Sequence, residues 1–350
     1  MIRFDAQVLE GTAGVIYHAI TSYMEPAQVV GKKFLHVVSV SGGKDSAATL
    51  LLAIERFGRE NVRAIFCDTG NEHELTYEYL KYLEVATGVI IATLKADFSD
   101  DIARKRMFIA RDVRHKRGSD GRKMRWSNKA KRRALAVLYP TGVPFLDMCM
   151  WKGRFPSRKA QFCTEELKRN MAVSYQLDLI DQGYTVISWQ GVRRDESFNR
   201  RNALSYESVG GGLHIFRPIA TWTAAQVFAH CKRWGLKPNP LYLQGMGRVG
   251  CMPCINAAKA EVHEIAIRFV QHIDKIFTWE QLVGLCSKRN AATFFHKSSG
   301  KGLTNQEIVA ASNVWQVVEW AKTSRGGKQF SLLTALEEPT SCASSYGLCE

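Results

Sequence analysis

A short polar segment between two apolar ones has residue types that could hold the phosphates of a nucleotide. The run is Ser39-Val40-Ser41-Gly42-Gly43-Lys44-Asp45-Ser46. Two adjacent glycines let the backbone fold into an anion-binding nest, and a helix that begins there directs its first amide groups at a phosphate. The run differs from a Walker A motif, because the first glycine is absent and aspartate follows the lysine. We predict that the nucleotide-binding residues here are Ser39, Ser41, Gly42, Gly43, Lys44, Asp45 and Ser46, with Lys44 and Asp45 catalytic.

Two further polar groups follow later apolar runs. Asp68-Thr69-Gly70 ends one run, and at the carboxyl end of a parallel strand Asp68 could contact ribose or Mg²⁺. Arg193 and Arg194, just after Gly191, offer planar donors to phosphate or sulfate oxygens, so we predict catalytic roles for both. Two plainer interpretations stay open, a turn-forming aspartate and a solvated charge run at 193–196. The additional nucleotide-binding residues that we predict are Asp68, Thr69, Gly70 and Gly191.

The nine cysteines are an odd number, which does not suit a fully paired disulfide framework. Cys251 and Cys254 are spaced so that both thiolates can bind one metal centre, but they supply only two ligands. Cys349, near the end of the chain, could attack a sulfonyl sulfur or carry a persulfide if nearby cations lower its pKa, or it is incidental. We expect three isolated cysteines in apolar surroundings to be inert core residues, namely Cys67, Cys231 and Cys286.

Positive charge is concentrated in one segment. Residues 104–133 contain fourteen lysines and arginines against Asp112 and Asp120, which is +12 of the formal net charge of +15. A local cationic patch of this size favours a polyanionic partner, and we predict nucleic acid. The alternative is a solvated helix and loop without a partner.

The elements that must position these residues alternate between strand and helix. Such alternation predicts a parallel sheet with right-handed crossovers, flanked by helices. Strands are predicted at 34–40, 62–68, 88–94 and 184–189, and helices at 45–57 and 72–87. Beyond Cys254 the pattern becomes helical, with helices predicted at 257–277 and 305–323. Thr304, with Glu307 three residues later, is a plausible cap of the last helix.

We divide the 350-residue chain into four regions. They are an N-terminal helical segment (1–30), a nucleotide-binding domain (31–255) with a basic insertion at about 100–135, a helical region (256–336) and a mobile tail that contains cysteines (337–350). No run of about 18 apolar residues occurs, and the first residues lack the order of a signal peptide. We therefore expect no membrane span and a cytoplasmic, reducing compartment.

Five motifs in order resemble those of the PP-loop ATP pyrophosphatases and the sulfonucleotide (PAPS) reductases. SGGKDS at 41–46 resembles the PP-loop of enzymes that cleave ATP between its α- and β-phosphates. The other motifs lie at 64–73, at 191–197 followed by Arg200 and Arg201, at 217–223 and at 239–254. The resemblance covers roughly residues 35–255 and is closest to iron–sulfur, DNA-phosphorothioation-type or phage-type members. It implies an adenine-nucleotide α-hydrolase-like α/β fold that binds ATP and Mg²⁺.

The same resemblance implies a 4Fe–4S cluster bound by Cys163, Cys251 and Cys254. In iron–sulfur members a Cys–Cys pair near a lysine joins a later Cys-x-x-Cys, but here Phe162 stands where the paired cysteine would be. The fourth ligand is open among Cys149, Cys342, Cys349 and His263. Zinc at the same thiols and reduced structural thiols are the two alternatives.

The intact loop argues against a plain PAPS reductase, because the phosphate loop of those enzymes is usually degenerate. We expect an ATP pyrophosphatase that activates an acceptor for sulfur transfer, with DNA or tRNA as the acceptor class and a cysteine desulfurase or thioredoxin-like protein as donor. One alternative is reduction of a sulfonucleotide to sulfite through Cys349, and another is an ATP-sulfurylase-like reaction. The third is an ATP- and nucleic-acid-binding protein without turnover.

Overall fold

The computed structural model describes residues 33–117, 121, 124–196, 200–295 and 303–323. Several sequence predictions lie outside these residues. They are the N-terminal helical segment, a part of the basic insertion, and the tail with Cys342 and Cys349.

A six-stranded sheet in the order β3-β2-β1-β4-β6-β5 forms the centre of the fold. All neighbouring strands are parallel except β5, which pairs antiparallel with β6 at the edge. The predicted parallel sheet is therefore confirmed, whereas the last two strands were not predicted because both are short and are joined by glycines. The strands are β1 Lys33–Ser39, β2 Val62–Asp68, β3 Ile91–Lys95, β4 Tyr184–Trp189, β5 Tyr206–Gly210 and β6 Leu213–Phe216.

Helices cover both faces of the sheet and form a separate helical body. In the described residues they are α1 Lys44–Phe57, α2 Glu74–Thr87, α3 Ser99–Arg111, α4 Asn128–Val137, α5 Pro144–Lys152, α6 Asn170–Asp181, α7 Ala224–Arg233, α8 Pro240–Leu243, α9 Lys259–Arg268, α10 Val270–Cys286, α11 Asn305–Ser312 and α12 Val314–Ala321. Apolar residues of α1, α2 and α7 pack on one face, and residues of α6 pack on the other.

The helical body has a core that joins distant parts of the chain. Buried side chains of α3, α4 and α5 pack in one cluster with those of α9, α10 and α12. Ile109, Met148 and Ile276, for example, are all 1% exposed or less. The segment predicted as a basic insertion therefore shares its core with helices beyond residue 256.

Three predicted helix boundaries were wrong. The helix expected at 257–277 is two helices, because Phe269 adopts a non-helical conformation (φ −135°, ψ 49°) between them. The helix expected at 305–323 is also two, since Asn313 ends α11 and caps α12 with its side chain. The second helix begins at Glu74 rather than Glu72, because the His73 side chain accepts a hydrogen bond from the Leu75 amide and caps it. The predicted capping box of Thr304 and Glu307 is confirmed.

Among the described residues, no helix combines the length and the apolar character that crossing a bilayer requires.

Candidate nucleotide and thiol site

The predicted phosphate loop connects β1 to α1 at the carboxyl edge of the sheet. Gly42 has a φ of 74°, and a Cβ there would lie 2.9 Å from Cγ2 of Thr76. The Ser46 hydroxyl accepts a hydrogen bond from the Ser41 amide (3.0 Å) and donates to the Gly43 carbonyl (2.9 Å). Gly43 is the N-cap of α1 and has no side chain that could cap the helix. The N-terminus of α1 therefore has the open backbone that suits an anion.

A second segment, 239–242, closes over this loop. The Asn239 side-chain amide donates to the Gly42 carbonyl (3.0 Å), and the Tyr242 hydroxyl accepts from the Lys44 amide (3.0 Å). The Lys44 ammonium lies 5.4 Å from the centre of the Tyr242 ring and 6.0 Å from that of Phe228. It also lies 3.4 Å from Oδ2 of Asp45. Lys44 is only 8% exposed, so its charge is already partly desolvated and held by aromatic rings.

Arg193 lies beside the loop but is occupied by two carboxylates. Its Nε donates to Oδ1 of Asp45 (2.6 Å), and its Nη1 donates to both oxygens of Asp195 (2.5 and 2.6 Å). The side chain is buried, so this ion pair fixes Asp45 in the first turn of α1. Arg194 instead donates from Nε to the Ala203 carbonyl (3.0 Å). Both arginines therefore make structural contacts, and of the two only Arg193 contacts a predicted loop residue.

Gly191 approaches the loop more closely than any other residue type could. A Cβ at this position would lie 2.8 Å from the carbonyl carbon and oxygen of Asp45 and 2.9 Å from the Ser46 amide nitrogen. The predicted link between Gly191 and the phosphate loop is thus a direct backbone contact.

The end of β2 forms a turn that includes the predicted residues Asp68, Thr69 and Gly70. Oδ1 of Asp68 accepts hydrogen bonds from the Gly70 amide and the Tyr77 hydroxyl, both at 2.8 Å. The Thr69 hydroxyl donates to the buried Glu72 carboxylate at 2.8 Å. Asp68 therefore forms a turn, as the plainer interpretation holds, while its carboxylate lies at the carboxyl edge of the sheet.

Cys251 is joined to this turn. It forms an isolated antiparallel bridge with Glu72, and its thiol donates to Oε1 of Glu72 (3.6 Å). Its Sγ also lies 3.4 Å from the Thr69 hydroxyl oxygen. Burial raises the pKa of the Cys251 thiol to about 12, although Lys168 opposes the shift. The thiol motif and the end of β2 are therefore one structural unit.

Electrostatic interactions link the three predicted metal ligands with one another and with a fourth thiol. Burial raises the pKa of Cys163, and the nearby Cys254 thiol adds to the shift. The Cys254 thiol also adds to the rise in the pKa of Cys251. Burial and the Cys163 thiol raise the pKa of Cys149, which lies fully buried in α5. Cys149, one of the four candidates for the missing ligand, is thus near Cys163.

A cation accompanies these thiols. Cys163 is followed by a π-helical turn, Glu165–Arg169, which carries Lys168. The pKa of Lys168 is raised, chiefly by Cys251. His263 is another candidate ligand, and its Nδ1 lies 3.9 Å from Oε1 of the neighbouring Glu264. The cysteines predicted to be inert core residues comprise the buried Cys231 and Cys286 and the half-buried Cys67.

About half of the described cations of the basic segment bind the protein itself. Arg106 donates to the carbonyls of Leu135 and Leu138 at the end of α4, both at 2.8 Å. Arg133 donates to the carbonyls of Leu285 and Ser287 at the end of α10. The charged side chains of the segment that are exposed are Arg104, Arg111, Lys116, Arg117, Arg125, Lys129 and Arg132.

Sequence reasoning did not select several residues of this site. Asn239 and Tyr242 lie in a motif that the resemblance included, so the signal for them was available. Glu72 follows Asp68 by four residues and could have been found as the acid of the same turn. Cys149 was named only as one of four candidates for the missing ligand, because a cysteine in an apolar helix is more often a core residue.

Comparison with known proteins gives a family match over most of the site. The sequence profile described as "Phosphoadenosine phosphosulfate reductase domain" matches residues 35–257. A 37.8 kDa protein of Escherichia phage 186 is 44% identical over 329 residues, which is 90% of this chain and 97% of that protein. An adenosine 5'-phosphosulfate reductase of Burkholderia cepacia is 34% identical over 70 residues, 20% of this chain and 28% of that enzyme. The crystal structure of a phosphoadenylyl-sulfate reductase from Candida auris aligns with a TM-score of 0.40 and 14% identity, over 72% of this chain and 98% of that one.

Proposed function

The chain belongs to the phosphoadenosine phosphosulfate reductase domain family, as its motifs predicted, and from this premise we propose that it is a PP-loop ATP pyrophosphatase that activates an acceptor for sulfur transfer. The observation that carries the proposal is the intact loop at the start of α1, with Lys44 buried beside a helix end that no N-cap side chain closes. A loop that cleaves ATP needs such a cation at the phosphates, whereas a loop that only holds a sulfonucleotide does not.

In the proposed reaction an acceptor oxygen attacks the α-phosphorus of ATP, and the bond from that phosphorus to the α,β-bridging oxygen breaks. Pyrophosphate leaves with both electrons of that bond and AMP stays on the acceptor. Sulfide then attacks the atom that bears the adenylylated oxygen, and AMP leaves with that oxygen and with both electrons of the broken bond. Lys44 and the amide groups of the first turn of α1 stabilise the charge that develops on pyrophosphate. Arg193 acts as a positioning residue, because it holds Asp45 in that turn.

Asp68 is the residue that we propose to hold Mg²⁺ or the ribose. Oδ1 accepts both hydrogen bonds recorded for this carboxylate among the described residues, which leaves Oδ2 for a ligand. A carboxylate oxygen is the donor type that Mg²⁺ prefers. The ion would neutralise part of the phosphate charge.

Cys149, Cys163, Cys251 and Cys254 are the proposed ligands of a 4Fe–4S cluster. Four thiols are the donor set that such a cluster uses. Thiolates on one tetrahedral zinc ion would lie about 3.8 Å apart. In the described residues no three of these sulfurs lie within 4.8 Å of one another, so a single zinc ion would have to draw the thiols closer together. The cluster would supply electrons or sulfur beside the nucleotide.

Nucleic acid is the acceptor class that the surface favours. The seven cations that are exposed among the described residues of 104–133 share their region with exposed apolar residues, among them Met107, Phe108 and Met124. The Arg114 guanidinium lies 4.8 Å from the centre of the Phe108 ring. Cations interleaved with exposed aromatic rings suit a phosphate backbone with unpaired bases.

The proposed reaction is tested with ATP labelled at the α-phosphate, incubated anaerobically with the protein and with DNA or tRNA. We expect AMP and pyrophosphate in equal amounts, with the label passing through the nucleic acid. Lys44→Met should abolish both products, because it removes the charge and keeps the apolar stem. Lys81→Met, an exposed lysine of α2, is the matched control and should keep full activity. Absence of pyrophosphate with every acceptor tested contradicts the proposal.

Reduction of a sulfonucleotide is the second candidate, and the similarity to the Burkholderia cepacia reductase supports it. It predicts sulfite release from adenosine 5'-phosphosulfate or its 3'-phosphorylated form in the presence of a thiol reductant. It also predicts no pyrophosphate from ATP, so the two products separate the candidates. Sulfite release that Cys349→Ser abolishes would decide for the reductase.

The cluster is tested separately by anaerobic reconstitution with iron and sulfide. We expect about four irons per chain and a broad absorbance near 400 nm, and both should fall in Cys149→Ser. Cys286→Ser is the matched control, because Cys286 is equally buried in the same core but has Arg133 rather than another thiol as its charged neighbour. Equal iron content in the two variants would remove Cys149 from the ligand set.

A further inference from the structure

Two histidines and a glutamate meet outside the nucleotide and thiol sites. His73 caps α2, Glu74 is the first residue of that helix, and His272 lies in the first turn of α10. The histidines are 7% and 3% exposed, and their rings stack with centres 4.9 Å apart. One ligand atom from each of the three residues lies within 4.8 Å of the other two.

The hydrogen bonds of the two histidines indicate where their lone pairs lie. Nδ1 of His73 accepts from the Leu75 amide (3.1 Å), so this atom carries a lone pair. Nδ1 of His272 lies 3.2 Å from the Met252 carbonyl, and a carbonyl can only accept, so His272 is protonated on Nδ1. The lone pair of a neutral His272 is therefore on Nε2, which is buried and has no hydrogen-bond partner in the part of the chain that the structure describes.

That unpartnered nitrogen is directed at a carboxylate. Nε2 of His272 lies 3.5 Å from Oε2 of Glu74, and Nδ1 of His73 lies 3.6 Å from the same oxygen. Three possible ligand atoms thus lie close together, two of them on buried imidazoles and one on an exposed carboxylate, and a cation could join them.

We propose that His73, Glu74 and His272 bind a divalent transition-metal ion. Two ligands about 2.1 Å from one tetrahedral ion lie about 3.4 Å apart, close to the two nitrogen–oxygen distances here. The bond from His272 Nδ1 to the Met252 carbonyl is of the type that fixes the ring of a metal-binding histidine. Binding through Nδ1 of His73 would replace its bond from the Leu75 amide.

A metal ion at this site would join the thiol motif, Cys251 to Cys254, to the helical body. Met252 lies between Cys251 and the cis proline of the thiol motif, and its amide donates to the Asn71 carbonyl (2.7 Å) while its carbonyl meets His272. An ion on His272 and His73 would therefore fasten α10 to the end of β2 and to Cys251. This inference goes beyond the proposed reaction and does not depend on ATP cleavage.

One charged neighbour opposes the ion. Lys275 lies one turn beyond His272 and interacts with Glu74, Glu72 and Cys251, while burial lowers its pKa. Glu78 adds negative charge on the His73 side. A protonated Lys275 neutralises part of the Glu74 charge and repels a divalent ion. Lys275→Met should therefore bind metal more tightly than the unchanged chain.

The test is an anaerobic Co²⁺ titration of the full chain, followed by absorbance and equilibrium dialysis. Cobalt on imidazole and carboxylate ligands gives d–d bands without the sulfur-to-cobalt charge transfer that thiolates add. We expect one such ion per chain, and Glu74→Gln should weaken its affinity by at least about tenfold. Glu78→Gln is the matched control, since it removes an equal charge from an exposed glutamate one turn along α2.

His272→Gln and the control His263→Gln form the second pair. We expect only His272→Gln to lose the ion, and because Glu74 is exposed, the glutamate pair still decides the question if His272→Gln does not fold. Unchanged affinity in Glu74→Gln overturns the proposal. So does a titration in which all of the bound cobalt shows sulfur-to-cobalt charge transfer and is lost in Cys251→Ser.

Discussion

Gly191 packs against the first residues of α1 with no side chain in between. In Gly191→Ala the new methyl group would lie 2.8 Å from the Asp45 carbonyl, so the start of α1 or the strand end must move. We expect a loss of about 1–3 kcal/mol in unfolding free energy, the usual cost of overpacking. We also expect at least about a tenfold loss of ATP affinity, because the phosphate loop shifts with α1. Urea unfolding and nucleotide titration measure the two effects.

The control for this substitution is Gly284→Ala in α10. A Cβ there has its nearest contact at 3.6 Å, an ordinary packing distance. Alanine is favoured over glycine inside a helix by up to about 1 kcal/mol, so this variant should be as stable as the unchanged chain or more so. Equal ATP affinity in the two variants would show that Gly191 does not position the phosphate loop.

Single residues could be predicted where local spacing carries the chemistry. Lys44 and Gly42 were found because a phosphate nest is encoded in consecutive residues. Cys149 was only one of four candidate ligands and His272 was not selected, because their partners are distant in sequence and only the packing of α5 and α10 brings them together. Arg193 was found as a residue near the loop, but its pairing with Asp45 and Asp195 depends on side-chain directions that no motif specifies.

At the scale of elements, α7 depends on a capping box at its start. The Thr223 side chain accepts from the Gln226 amide, and the Gln226 side chain accepts from the Thr223 amide. Thr223→Ala should cost about 1 kcal/mol in unfolding free energy, because one end of this reciprocal bonding is lost. Thr278→Ala is the control, since its hydroxyl only donates to a carbonyl within α10. Similar stability losses in both variants would contradict a role for the cap.

A buried carboxyl group joins the last helix to the helical body. Glu280, which is 3% exposed, accepts from the Phe294 amide (2.7 Å) and from the Val314 amide at the start of α12 (3.0 Å). Burial raises the pKa of Glu280 from 4.5 to about 7. Between these values the native chain retains a proton that the unfolded chain has released. The stability that Glu280 contributes is therefore present below the unfolded pKa and is lost as pH rises to about 7, by up to about 3 kcal/mol.

Glu280→Gln should remove this part of the pH dependence. Its side chain cannot ionise, so the difference in unfolding free energy between about pH 5 and about pH 8 should be smaller than in the unchanged chain. At every pH the unfolding free energy of the variant should also be lower by a constant amount, because the amide nitrogen cannot accept the second hydrogen bond. Urea unfolding at the two pH values measures both terms. Glu319→Gln, an exposed residue of α12, is the control and should leave the pH dependence unchanged.

Elements were predictable where the apolar pattern was long enough to show a period. The strands at 62–68 and 184–189 and the helix that ends at Phe57 were placed to the residue or nearly so. The hairpin of β5 and β6 is too short for such a pattern, and its turn contains three glycines. The breaks at Phe269 and Asn313 were missed because apolar residues continue across both positions.

At the scale of the whole molecule, the sequence order of the segments conceals how they pack. The parallel sheet follows from alternation along the chain, so the nucleotide-binding half could be predicted. The core of the helical body joins α3–α5 to α9–α12 across more than a hundred residues, and no local pattern shows that these segments meet. The same packing explains why part of the basic segment is structural: Arg106 and Arg133 bind carbonyl groups at two helix ends.

The remaining exposed cations predict how nucleic-acid binding responds to salt. Each cation that contacts a phosphate releases a counterion, so the logarithm of the binding constant falls linearly with the logarithm of salt concentration. Replacing Arg111, Arg117 and Arg125 by Gln should reduce the slope by about one unit each and weaken binding to all sequences alike. The matched triple replaces Lys33, Arg59 and Arg63, which are exposed at the amino edge of the sheet, and should leave the slope unchanged. Titration of single-stranded DNA from low to physiological salt measures both slopes. Equal slopes in the two triples would mean that net charge, rather than the 104–133 surface, binds the polyanion.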